Sequence, residues 1–143
     1  MLEALIIGDT GTFNKLLGEF LSSMCSFHDL PHNDLERSLH MFVLGLLACV
    51  SERYVIKSNL ESGDGRYDIA MYPKKVGDLA ILIEFKKGKD SKLEKLAEQA
   101  LRQIASNKYE SALKDFGYKG KVVCYGIAIF KKQVFVKMES IIL

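Results

Sequence analysis

The order of helical and strand signals predicts an α/β fold with a mixed β-sheet flanked by helices on both faces. Three observations carry that expectation. Apolar residues keep helical spacing near the N-terminus and again over residues 91–109. Short runs rich in β-branched residues, separated by glycine-containing turns, follow the N-terminal helices and return after the later one. The resulting strand–helix–strand run requires a crossover, which places a parallel pair within the sheet.

Each element has its own sequence reason. "LEALIIGD" and then "TGTFNKLLGEFLSSM" read as helical, with Phe13, Leu16, Leu17, Phe20 and Leu21 on one stripe. "HDLPHND" reads as a turn. Asn33 is placed to cap the next helix, with Glu36 three residues on, ahead of the apolar "LHMFVLGLLACV". That stretch is too short and too polar at its flanks to span a bilayer, and it reads as a buried helix. Three strands are then expected, "RYVIKSNL", "RYDIAMYP" and "LAILIEFKK", joined by "ESGDG" and "KKVGD" turns. "SKLEKLAEQALRQIASNKY" is an amphipathic helix with its stripe at Leu93, Leu96, Ala97, Ala100 and Ile104. "KVVCYGIAIF" and a shorter "QVFVKMESI" complete the sheet.

Length and composition narrow the function classes. A chain of 143 residues is read as one domain, 1–143, long enough for a proper core. With 48% hydrophobic and 27% charged residues it should fold rather than stay disordered. A net charge of +2 does not by itself identify a nucleic-acid binder, so the placement of the charge has to decide. Cys25, Cys49 and Cys124 are scattered and odd in number, which argues against a disulfide framework and fits a reducing cytoplasm. No signal peptide is expected from the first residues, and no membrane association.

One stretch resists a purely structural account. The most apolar strand, Leu79 to Phe85, carries Glu84 and leads into Lys86, and the preceding strand carries Asp68. Buried charges survive only when paired, hydrogen-bonded or bound to a metal. Alternation puts Glu84 and Lys86 on one face and Phe85 on the other, and Asp68 shares a face with Ala70. If the two strands form a hairpin, Asp68 can sit beside Glu84. Two adjacent carboxylates repel unless a cation or a proton separates them, and oxygen ligands suit Mg²⁺ or Mn²⁺ rather than zinc. A lysine two residues from the second acid can orient a water or stabilise charge on a phosphate, which together make a phosphodiester-cleaving site.

Asp68 followed sixteen residues later by Glu84-Phe85-Lys86 resembles the signature of the PD-(D/E)XK nucleases. The words "ERSLHMFVLGLL", "SNLESGDGRYDIAMYP", "ILIEFK" and "ALRQIASNKY", in that order, are similar to one bacterial branch of that superfamily. Tyr67 stands before the first acid where the signature has proline, a common departure. The resemblance implies a restriction-endonuclease-like core and a Mg²⁺- or Mn²⁺-dependent nuclease acting on DNA. It implies Asp68 and Glu84 as metal carboxylates, with the Phe85 backbone carbonyl as a further ligand and Lys86 acting on water or phosphate. Glu36 matches the acid on the first core helix, a further candidate for the metals, and Gln103 the glutamine that touches substrate or the lysine. The branch commonly follows an AAA-ATPase-like domain, so an ATPase domain or protein is an implied partner. A homodimer through the apolar helix is a separate expectation.

Each of these residues also has a plainer reading. Glu84 and Lys86 could lie on a frayed strand, Asp68 could be a turn acid, Glu36 could serve Asn33's cap, and Gln103 could be solvated. Arg66, two residues before Asp68, is a candidate phosphate or carboxylate partner. Lys87, Lys89 and Lys92 follow the third strand beside the candidate site. There they suit backbone contact with nucleic acid, which reads charge and not sequence. Two other motifs are set aside. "GDTGTFNK" lacks the Gly-Lys-Ser/Thr close of a phosphate loop. Cys25, His28 and His32 lack a fourth zinc ligand and are interrupted by Pro31.

Overall fold

Two helices open the chain, and the break between them is local chemistry. α1 (Leu2–Ile7) stops where Gly8 takes the left-handed conformation, φ 82° and ψ 17°, and its N–H turns back to the carbonyls of Ala4 and Leu5. α2 (Thr10–Ser23) begins as Asp9 Oδ1 accepts the Thr12 N–H at 3.0 Å, an N-cap interaction. α2 buries Phe13, Leu17 and Leu21, one residue per turn. This computed structural model describes residues 1–23, 35–62, 65–106, 113 and 115–143, with 35, 59–62 and 65–67 as backbone only. The expected Asn33 cap, the Cys25, His28 and His32 group and part of the "ESGDG" turn lie outside these residues.

α3 (Leu35–Leu47) runs into a single 3-10 turn, Ala48–Val50. The helix expected to be buried is buried along one stripe. Leu39, Val43 and Leu47 are buried, but Met41 is 58% exposed, because a helix laid on a sheet turns only one stripe inward.

Among the described residues five strands form one sheet in the order β1 (Tyr54–Ser62), β2 (Gly65–Pro73), β3 (Ala80–Lys87), β4 (Lys121–Phe130) and β5 (Gln133–Ile142). β3 and β4 are parallel, joined by α4 (Leu93–Ser106), and the other neighbours are antiparallel. β5 is not the shorter strand expected. It pairs along the whole of β4, from Lys121↔Ile142 to Phe130↔Gln133.

The alternation of side chains sorts the core into two layers. Ile69, Met71, Ile81, Ile83, Phe85 and Tyr125 face α1, α2 and α3. Ala70, Leu82 and Cys124 face Leu101 and Ile104 of α4, and Ala128 faces Leu93 and Ala97 of α4. The sheet is therefore mixed and flanked by helices on both faces. Polar contacts hold the layers in register: the Tyr125 hydroxyl donates to the Leu5 carbonyl at 2.7 Å. Asn14 of α2 accepts the Val136 N–H at 2.8 Å, which covers part of the β5 edge that would otherwise invite another strand.

Candidate active site

The site begins where β2 leaves β3. Their ladder runs Met71↔Ile81, Ala70↔Leu82, Ile69↔Ile83 and stops, although the β1–β2 hairpin continues to Ser62↔Gly65. Extending the register would set Asp68 opposite Glu84. Beyond the stop, the N–H groups of β3 that point toward β2 need new acceptors, since buried backbone donors do not go unpaired. Two carboxylates supply them. Asp68 Oδ2 accepts the Phe85 N–H at 2.7 Å, and Glu36 Oε2 accepts the Lys87 N–H at 2.9 Å. In a strand the N–H and C=O of one residue point to the same side, so the Phe85 carbonyl also faces this fork.

Glu84 lies on the α4 side of the sheet, 3% exposed. Its Oε1 accepts from Lys86 Nζ at 3.1 Å, while its buried Oε2 has no partner among the described residues. Burial first, and the Asp68 charge second, push its pKa up to about 7, against the opposing pull of Lys86. Glu36 adds a smaller push in the same direction, so all three acids share one field. Lys86 Nζ also donates to Gln103 Oε1, which links the end of β3 to α4.

Asp68, Glu84, Lys86, Glu36 and Gln103 thus meet at the fork, together with the Phe85 main chain. Lys87, Lys89 and Lys92 are exposed at the end of β3 and in the turn to α4. The backbone of Arg66 lies in β2 opposite Glu61; its side chain is outside the described residues. His40, one turn after Glu36 on α3, is buried, hydrogen-bonds Ser58 Oγ at 2.8 Å and stacks on the Phe85 ring with centroids 5.6 Å apart. It supports the strand from behind.

Sequence reasoning missed Gly126. In the β3–β4 ladder it is the register partner of Glu84. A Cβ built there would overlap the Ala97 carbonyl oxygen and crowd the Ala100 side chain. Only glycine lets α4 settle this close to the sheet beside Glu84. The signal was available: a lone glycine inside a β-branched strand marks a close approach of another backbone.

A family model described as the PD-(D/E)XK nuclease superfamily matches residues 34–139. The chain belongs to the PD-(D/E)XK nuclease superfamily. No curated protein and no solved structure matches the chain. The matched span includes α3, all of β1 to β4 and most of β5, and hence every element that builds the fork. Nucleases of the PD-(D/E)XK superfamily typically use divalent metals. Among the described residues no three His, Cys, Asp or Glu side chains form a ready-made metal cluster. A hard ion such as Mg²⁺ keeps several waters and is usually bound through one or two carboxylates. The unpaired, buried Glu84 Oε2 beside Asp68 is the feature that fits such an ion. Among the described residues, no helix is long and apolar enough to cross a membrane.

Proposed function

We propose that this chain is a Mg²⁺- or Mn²⁺-dependent nuclease that hydrolyses DNA phosphodiester bonds. The observation that carries the reading is Glu84, a buried carboxylate with an unpartnered oxygen, on the same sheet face as Lys86 and at the fork where Asp68 stands. A divalent cation held by Asp68, Glu84 and the Phe85 carbonyl would polarise the phosphate and make water acidic enough to attack near neutral pH. Asp68 has a second task, holding the Phe85 main chain so that its carbonyl faces the fork. Lys86 presents its ammonium to the phosphate or the attacking water, and Gln103 orients it. Glu36 fixes the strand at Lys87 from the other layer. The exposed lysines Lys87, Lys89 and Lys92, with Arg66, would contact the nucleic-acid backbone.

A second reading keeps the fold and removes the chemistry: a nucleic-acid-binding or interaction module serving a partner ATPase. The Lys86–Glu84 ion pair favours it, since a lysine that neutralises a buried acid has a structural use. Incubation with linear, circular and single-stranded DNA in Mg²⁺, Mn²⁺ or EDTA separates the two. The nuclease reading expects cutting that requires metal and is lost in Lys86→Ala. Metal-independent binding without cutting supports the module.

A further inference from the structure

A second surface lies at the other end of the sheet, where β3 begins. The β2–β3 turn and the loop entering β4 enclose a cleft of about 410 Å³, within the usual size of a small-ligand site. Its frame is held. The Tyr118 hydroxyl accepts the Ala80 N–H at 3.2 Å and lies between the carbonyls of Asp78 and Lys121, 3.2 and 2.8 Å away. The one acid among the described lining residues, Asp78, is engaged by Arg53 through two hydrogen bonds of 2.9 and 2.7 Å. Among the described residues, the side chains of Lys75, Lys119 and Lys121 form no ion pair or hydrogen bond. All three are exposed, so the cleft carries net positive charge that the fold does not neutralise.

An aromatic side chain completes the pattern. Phe116 lines the same cleft and is 43% exposed, its ring tilted against Tyr72 with centroids 4.4 Å apart. One side of the ring packs on Tyr72, and the part left in water beside unpaired lysines is a surface on which a nucleobase can stack. Sites for single-stranded nucleic acid combine a basic surface that follows phosphates with aromatic rings that take the bases. The spacing is also suitable. Glu84 is four residues along β3 from Ala80, about 13 Å at the rise of a strand. At the roughly 3.4 Å per nucleotide of a duplex strand this is about four nucleotides, and fewer for a more extended single strand.

We infer that this cleft binds a nucleotide unit of a polynucleotide strand, with its phosphate on Lys75, Lys119 and Lys121 and its base on Phe116. The bound unit lies a few nucleotides from the phosphate at Glu84 and Lys86. The placement of the reacting phosphate rests on the nuclease reading; the binding itself does not.

Fluorescence anisotropy of a labelled single-stranded oligonucleotide in EDTA tests it, since no cutting is needed. The triple change Lys75→Gln, Lys119→Gln, Lys121→Gln should weaken binding by about tenfold or more and lower the salt slope by about 2. Phe116→Leu keeps an apolar side chain against Tyr72 but removes the ring. It should weaken binding by about fivefold or more and leave the salt slope unchanged. Melting temperatures confirm that both variants fold. Wild-type affinity in either folded variant overturns the inference, as does absence of binding by the wild type. Competition by a free mononucleotide as strong as by the oligonucleotide overturns the polymer assignment. Added Mn²⁺ then keeps the two readings apart: binding lost in the variants, with no cutting by the wild type, leaves the cleft standing and removes the nuclease.

Discussion

Glu84 concentrates the energetic cost of the site. A carboxyl group 3% exposed, beside a second acid, holds its proton to about pH 7 instead of its ordinary 4.5. Between those values the unfolded chain has already lost the proton that the folded chain keeps, so metal-free stability falls as pH rises through this window. Glu84→Gln removes the titration. In EDTA, the variant should gain on the wild type as pH rises from about 4.5 to 7, by up to about 3 kcal/mol. Paired urea melts at pH 5 and pH 7.5 check the sign. An equal stability difference at both pH values would contradict the assignment of the raised group to Glu84. Asp68 differs, because its carboxylate already serves a backbone N–H, and asparagine can accept the same hydrogen bond.

At the scale of elements, the fork is a place where a ladder is abandoned and side chains take over its donors. β3 runs four residues past its last pair with β2, Ile69↔Ile83, to Lys87, and α4 approaches from above to meet Lys86. That approach depends on Gly126. Gly126→Ala pushes a methyl group against the Ala97 carbonyl and should cost on the order of 1–3 kcal/mol as an overpacked site. By lifting α4 it should also loosen the Gln103–Lys86 contact. Denaturant unfolding measures the first effect, and a stability equal to wild type would show that α4 is free to move. The strands, α4, the parallel pair and the shared face of Asp68 and Glu84 were legible from apolar periodicity and alternation. The helical period of α4 also sets Gln103 at the edge of the apolar stripe and Gln99 farther toward solvent, and in the structure Gln103 is half-buried while Gln99 is exposed. The Glu36–Lys87 hydrogen bond and the cleft at the β2–β3 turn were not legible. They depend on where separate elements meet across 38 to 51 positions of sequence, and periodicity reports only which face a residue takes.

For the molecule as a whole, one sheet positions two surfaces: the acid-lined fork at the C-terminal end of β3 and the basic cleft at its start. The central claim is that the fork is a divalent-cation site. Melting curves with and without Mn²⁺ or Mg²⁺, run on the wild type, Asp68→Asn and Lys86→Ala, test it most directly. A cation that binds only the folded state stabilises it by RT ln(1 + [M]/Kd), about 2.7 kcal/mol at a hundredfold excess over Kd. The account predicts a higher melting temperature with metal for the wild type, and no metal response for Asp68→Asn, whose metal-free stability stays at or above wild type. Lys86→Ala should keep most of the response, because a lysine ammonium is not a ligand. A wild type whose melting temperature is indifferent to millimolar-range Mn²⁺ and Mg²⁺, or an Asp68→Asn variant that responds as strongly as the wild type, would contradict it.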